Sequence, residues 1–94
     1  MKYMVIETFT AGCKDRVYER FREKGRMLPD GLHYIDSWIE QEGDRCFQLM
    51  ETNSPSLFQQ WINVWKDLVS FEVIKLEVEK TREASGRTPN SASL

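Results

Sequence analysis

Hydrophobic and polar positions alternate in two stretches of the chain, aromatic and long apolar residues dominate two more, and two others follow a helical period. Residues 2–9 and 71–78 alternate, while residues 32–41 and 45–52 are rich in aromatic and long apolar side chains. Such stretches suit a pleated, half-buried β-surface. The pattern therefore predicts four strands.

Two amphipathic helices are predicted between these strands. In residues 13–26, apolar positions recur every four residues and charged side chains occupy the other side. Ser54 is the predicted N-cap of the second helix, and Pro55 fits its first position because proline has no N–H that would need a partner there. The apolar stripe of this second helix is formed by Leu57, Phe58, Trp61, Ile62, Trp65 and Leu68.

The two central strands are predicted to form a hairpin with its turn at residues 42–44. A three-residue loop with Gly43 in the left-handed conformation is favoured, because it sorts the side chains into one apolar and one mixed face. A two-residue loop would instead set Trp38 beside Phe47 and Leu49. On the favoured register the apolar face carries Ile35, Ile39, Phe47 and Leu49, and the mixed face carries Tyr34, Asp36, Trp38, Cys46, Gln48 and Met50.

The order of the elements predicts an α+β fold of the ferredoxin-like kind. Strand, helix, strand, strand, helix, strand is the split βαβ pattern, in which two helices cover one face of a four-stranded antiparallel sheet. Residues 1–78 are assigned to this domain. Residues 79–94 are polar and small and are assigned to a C-terminal tail.

The sheet face without helices is predicted to be more apolar than a soluble monomer usually exposes. A second copy related by a two-fold axis would bury the same patch on both chains, so we predict a homodimer with the architecture of a dimeric α+β barrel. The residues assigned to this helix-free face are Tyr3, Val5, Glu7, Tyr34, Asp36, Trp38, Cys46, Gln48, Met50, Phe71, Val73 and Lys75. A small apolar or aromatic ligand is predicted to contact Tyr3, Tyr34, Trp38, Gln48 and Met50.

Composition and charge exclude several classes of function. The 94 residues suffice for one domain, and a net charge of −2 leaves no footprint for nucleic acid or an anionic membrane. No apolar run approaches the roughly 20 residues that span a bilayer, so a cytoplasmic location is expected. Cys13 and Cys46 lie far apart and His33 is the single histidine, so neither a disulfide framework nor a metal site is predicted. No cofactor is predicted either.

Glu7, Asp36 and His33 are the candidate catalytic residues. A carboxylate in a covered cavity can have a raised pKa and serve as acid or base. Pairing of charges at the margin of an interface explains Glu7 and Asp36 as well, and we favour it. His33 is predicted to lie across from Glu51, where it would be either a general base or, as we favour, a structural residue.

Two further groups have both a structural and a functional interpretation. Trp61 and Trp65 would suit a ligand shelf, but core packing of the second helix explains their spacing better. Arg26 and Arg45 are candidates for binding an anionic group of a ligand.

The strings MKYMVIETF, GRMLPDGLHYIDSW and RCFQLMET, followed by FQQW, resemble a small bacterial family known as domain of unknown function 3303. The similarity runs from residue 1 to about residue 78. The resemblance implies the fold of the dimeric α+β barrel superfamily and no established activity. That superfamily includes cofactor-independent monooxygenases and small-molecule isomerases, so such an enzyme is the alternative to a ligand-binding dimer. An interaction module whose tail docks on a partner is a third possibility.

Overall fold

The computed structural model describes residues 1–77, which form six elements in the predicted order. The α+β, ferredoxin-like prediction is confirmed. The tail predicted for residues 79–94, and the last residue of the predicted domain, lie outside the described residues. The elements are β1 (Lys2–Phe9), α1 (Lys14–Lys24), β2 (His33–Ile39), β3 (Arg45–Glu51), α2 (Leu57–Trp65) and β4 (Val69–Leu76).

The four strands form one antiparallel sheet in the order β2-β3-β1-β4. The rings of Phe58 and Trp61 on α2 meet those of Tyr3 and Phe71 edge-to-face, at centroid distances of 5.0 and 5.3 Å. Tyr18 on α1 meets Phe9 on β1 in the same way, at 6.1 Å. Since Tyr3, Phe9 and Phe71 share one side of the sheet in the observed register, both helices cover that side.

The covered side of the sheet is the one that the sequence analysis assigned to the helix-free face. Tyr3, Val5 and Glu7 are buried beneath the helices. On β3 the buried residues are Cys46, Gln48 and Met50. The alternation of β1 does not show which side of the sheet the helices cover, because Met4 and Ile6 on one side are as apolar as Tyr3 and Val5 on the other. The aromatic stripe of α2 decides it, because Tyr3 and Phe71 offer rings to Phe58 and Trp61.

Most of the residues predicted for the helix-free face therefore lie on the covered side, whereas Asp36 and Trp38 do lie on the helix-free face as predicted. Phe71, Val73 and Lys75 move to the covered side, since they pair with residues of β1 that point there. The apolar residues that alternate onto the helix-free face are Met4, Ile6, Trp38, Phe47, Leu49, Ile74 and Leu76.

The hairpin differs from the predicted three-residue loop. The backbone N–H of Glu40 donates to the carbonyl of Arg45 at 2.8 Å, so four residues, 41–44, form the loop. Glu42, with φ of 56°, takes the left-handed conformation instead of Gly43. The register consequently shifts by one residue, and Trp38 pairs with Phe47, as the rejected arrangement had placed them.

A β-bulge divides β2. Tyr34 pairs with Met50 and Asp36 with Leu49, which leaves Ile35 as the extra residue. Tyr34 therefore points to the covered side, whereas Asp36 and Trp38 point to the helix-free face.

The second helix begins at Leu57 rather than at Pro55. The backbone carbonyl of Ser54, and not its side chain, accepts the N–H of Leu57 at 3.0 Å.

Neither helix within residues 1–77 has the length and apolarity to cross a membrane.

Candidate functional site

A cavity of about 120 Å³ lies between the covered side of the sheet and the two helices. The buried side chains of Glu7, Gln48, Trp61 and Trp65 form its inner wall. The exposed rim includes Tyr18, Phe21 and Ile39. A dry cavity of about 150 Å³ holds benzene, so this slightly smaller space, which is open at its rim, has room for at most a single ring. We call it the Glu7 cavity.

Glu7 is the acidic group of the cavity. Strand alternation places it between Val5 and Phe9 on the covered side, and only 8% of its surface is exposed. Burial raises the pKa of Glu7 to about 7, and this effect outweighs the opposite influences of the Gln48 amide and the Arg26 charge. Glu7 is therefore a carboxyl group that exchanges a proton near neutral pH.

Arg26 reaches the cavity from the connection between α1 and β2. Gly25 and Met27, with φ of 69° and 58°, lie on either side of it in the left-handed region. The Nε of Arg26 donates to Oε1 of Gln48 at 3.2 Å. Its guanidinium carbon lies 3.6 Å from the centroid of the Tyr34 ring, a cation–π contact that holds the side chain over the sheet.

The backbone of Arg26 is fixed by the second helix. The indole N–H groups of Trp61 and Trp65 both donate to the carbonyl of Arg26, at 2.9 and 3.0 Å. A carbonyl oxygen has two lone pairs, so it can accept both. These two bonds tie α2 to the peptide that carries the basic group of the cavity.

Cys46 also lines the cavity, next to Glu7 across the β1–β3 ladder. Burial raises the pKa of the Cys46 thiol to about 11, with a further contribution from the negative charge of Glu7. The thiol therefore stays protonated and unreactive at neutral pH. Of these two groups, Glu7 is the one whose pKa lies near neutral pH.

The five predicted ligand-binding residues do not share one surface. Gln48 lines the Glu7 cavity, and Tyr34 contacts Arg26 at its edge. Tyr3 and Met50 are packed in the core and do not line the cavity. Trp38 lies on the opposite side of the sheet with 51% of its surface exposed. The predicted grouping is wrong because β2 changes sides at its bulge and the helices cover the other face.

The three candidate catalytic residues are also separated. His33 pairs with Glu51 in the β2–β3 ladder, and Glu51 forms an ion pair with Lys2 at 3.5 Å. Asp36 is exposed on the helix-free face, where its Oδ1 accepts the backbone N–H of Ser37 at 2.8 Å. Of the three, Glu7 alone lies in the cavity. Catalytic roles for all three stay predictions.

Sequence reasoning did not assign Tyr18 and Phe21 to a site. Phe21 follows the four-residue apolar period of the first helix and Tyr18 flanks it, which predicts packing and not a ligand site. Trp61 and Trp65 are buried in the core, as the favoured interpretation had it, and they also line the cavity. Within the described part of the chain, no three His, Cys, Asp or Glu side chains come together as a metal site.

Comparison with known families matches residues 1–88 to the model described as Domain of unknown function (DUF3303). The chain belongs to this family. No curated protein matches it. The Glu7 cavity is therefore a candidate site in a DUF3303 protein whose chemistry must be argued from its own residues.

Proposed function

We propose that this protein binds a small, largely apolar molecule in the Glu7 cavity. The observation that carries the proposal is the pairing of two polar groups in a space lined largely by aromatic rings. They are the Glu7 carboxyl group, whose pKa is about 7, and the Arg26 guanidinium, which stacks on Tyr34. Ligand sites commonly combine an apolar lining with a few convergent polar groups in this way. The site differs from the predicted one, which placed the ligand on the helix-free face.

The cost of burying Glu7 supports a functional role. A carboxyl group beneath two helices destabilises the fold whenever it is ionised, whereas an apolar residue in its place would pack without that cost. Departures from good core composition are expected where a protein binds or transforms something.

The proposal is tested with two single-ring probes, benzyl alcohol and benzoate, added to ¹⁵N-labelled protein. Binding in the cavity is expected to shift the indole N–H resonances of Trp61 and Trp65 and to leave that of Trp38 unchanged, because Trp38 lies on the other side of the sheet. If neither probe shifts these resonances at millimolar concentration, the proposed function is wrong.

A filled cavity provides the matched comparison. Val17→Phe places a ring in the cavity wall and should abolish probe binding, whereas Val64→Phe on the exposed side of α2 should not. If Val17→Phe does not fold, Ser37→Leu narrows the cavity from the opposite wall. Probe binding that survives in the folded filling variant would place the site elsewhere.

A second candidate function is an acid–base enzyme, either an isomerase or a cofactor-independent monooxygenase. It is favoured by one observation, the pKa of about 7 at Glu7, which matches a general base working at neutral pH. Glu7→Gln should then abolish turnover of a substrate while the probes still bind. Turnover that persists in Glu7→Gln would exclude Glu7 from the chemistry.

We also propose that the protein forms a homodimer through the helix-free face. Trp38 is half-exposed on that face, and Phe47 and Leu49 lie next to it as half-buried side chains. Isologous pairing would cover the patch on both copies. Sedimentation equilibrium at micromolar concentration tests this, and a monomer would contradict it.

The predicted cytoplasmic location accords with the free thiols of Cys13 and Cys46.

A further inference from the structure

Arg26 has binding capacity left over. Its Nε bonds to Gln48, but its two terminal nitrogens donate no hydrogen bond to any of residues 1–77. The ion pairs found in the same part of the chain are Lys2–Glu51, Arg20–Asp67 and Arg45–Glu40, so Arg26 is in none of them. A half-buried cation with two unused donors, held over Tyr34, is well placed to receive an anion.

We infer that the ligand is a small aromatic monocarboxylate, with its ring in the Glu7 cavity and its carboxylate between the Arg26 guanidinium and the Glu7 carboxyl group. This inference rests on the proposed function and adds the chemical class of the ligand. A carboxylate matches the planar donor pair of arginine, so two parallel N–H···O bonds can form. The remaining lone pairs of the ligand then face Glu7.

Glu7 has to carry a proton for this arrangement to form. Two ionised carboxyl groups in one confined space repel each other, and such pairs share a single proton. Because the pKa of Glu7 is about 7, about half of the molecules hold that proton at neutral pH before any ligand arrives. The Glu7 O–H would donate to the ligand, and binding would take up a proton in the remainder.

Few other groups in the cavity can alter this proton balance. The Cys46 thiol stays protonated, and two phenols lie nearby, that of Tyr18 on α1 and that of Tyr34 on β2, which contacts Arg26 at the edge of the cavity. The other residues that β2, β4 and α2 turn toward Glu7 or its cavity have no titratable side chain; they are Ser37, Ile39, Phe71, Trp61 and Trp65. The pH dependence of binding should therefore be that of Glu7.

The size of the cavity limits the apolar part of the ligand. About 120 Å³ leaves room for no more than one six-membered ring, and the indole groups of Trp61 and Trp65 provide part of the inner wall. Benzoate is accordingly the probe for the anion, with benzyl alcohol as its neutral counterpart and benzylamine as its cationic one.

Calorimetric titration of the full chain with the three probes, at pH 6 and pH 8.5, tests the inference. At pH 6 benzoate is expected to bind at least tenfold more tightly than benzyl alcohol, and benzylamine least tightly. Benzoate stays ionised over this range, while the protonated fraction of Glu7 falls. Its affinity should therefore drop roughly 30-fold at pH 8.5, and that of benzyl alcohol should change little.

Variants separate the two polar groups. Arg26→Gln should weaken benzoate but not benzyl alcohol, and Arg22→Gln on the exposed side of α1 should change neither. Glu7→Gln should remove the pH dependence, because an amide can donate its N–H at both pH values.

The outcomes distinguish this inference from the proposed function. If benzyl alcohol or benzylamine binds as tightly as benzoate at pH 6, or if benzoate affinity is the same at both pH values, the carboxylate assignment is wrong and the cavity remains a ligand site. If none of the three probes binds, the proposed function itself is wrong.

Discussion

Glu7 and Arg26 show what a single residue contributes to this protein. An acidic residue within the alternating strand 2–9 is visible in the sequence, which is why Glu7 was a candidate before its surroundings were known. Arg26 was also a candidate, together with Arg45, for binding an anionic group of a ligand. Its position over the sheet depends on the left-handed conformations of Gly25 and Met27, and no periodic pattern reports those.

The raised pKa of Glu7 makes the stability of the fold depend on pH. The pKa is 4.5 for an unperturbed group and about 7 in the folded protein, so between these values the folded state binds more protons than the unfolded state. The free energy of unfolding therefore falls as the pH rises from about 4.5 through about 7, by roughly 3 kcal/mol at most.

Urea denaturation at pH 5 and pH 8 measures this loss. Glu7→Gln should unfold with nearly the same free energy at both values, because the amide does not titrate. Glu72→Gln, an exposed change on β4, should keep the slope of the wild type. If the free energy of unfolding of Glu7→Gln falls between pH 5 and pH 8 as much as that of the wild type, another group is responsible for the loss.

The six elements and their order were predictable from the sequence, since each carries a period of 2 or 3.6 over at least seven residues. The covered side of the sheet was not predictable in the same way. β1 is apolar on both faces, so its pattern is nearly symmetric. The hairpin loop and the extra residue Ile35 each shift the register by one position, and both are events of local backbone geometry rather than of composition.

The contact of α2 with the α1–β2 connection predicts non-additive energetics. Trp61→Phe or Trp65→Phe alone should lower the free energy of unfolding by about 1–2 kcal/mol, because each removes one indole donor and leaves the Arg26 carbonyl with the other. The double variant should lose more than the sum of the two single losses, since the half-buried Arg26 carbonyl then has no donor from α2.

A double-mutant cycle by chemical denaturation measures this coupling. Trp38 is half-exposed on the helix-free face, so Trp38→Phe controls for the general cost of replacing an indole by a phenyl ring. Strict additivity of the Trp61 and Trp65 variants would mean that the shared carbonyl is satisfied by water when both indoles are gone.

The whole molecule has two surfaces with different demands. The helices leave a cavity on one side of the sheet, and the other side exposes apolar residues from all four strands. The bare apolar face was predicted because two helices can cover only one face of a four-stranded sheet. That reason does not depend on which residues the bare face contains. The homodimer therefore stays a proposal, although most of the residues predicted for the face lie on the other side and only Asp36 and Trp38 lie where they were predicted.

A charge on the helix-free face should separate the proposed dimer. Leu49→Lys places an ammonium group within the patch, opposite Asp36, where the cross-strand charges favour the strand pairing. Sedimentation equilibrium should then show a monomer, with the Glu7 cavity still binding benzoate. Val64→Lys on α2 should leave the dimer intact. A Leu49→Lys variant that still sediments as a dimer would place the interface elsewhere.

Because Ile35 is left out of the β2–β3 ladder, the side chains of β2 change faces partway along the strand. The strand begins in step with the inward-pointing side chains of its neighbour and finishes out of step with them. This edge strand thus turns the ring of Tyr34 toward the side of the sheet that holds the cavity and the ring of Trp38 toward the opposite side. An uninterrupted strand of the same composition would have turned both rings toward a single surface and left the other without either.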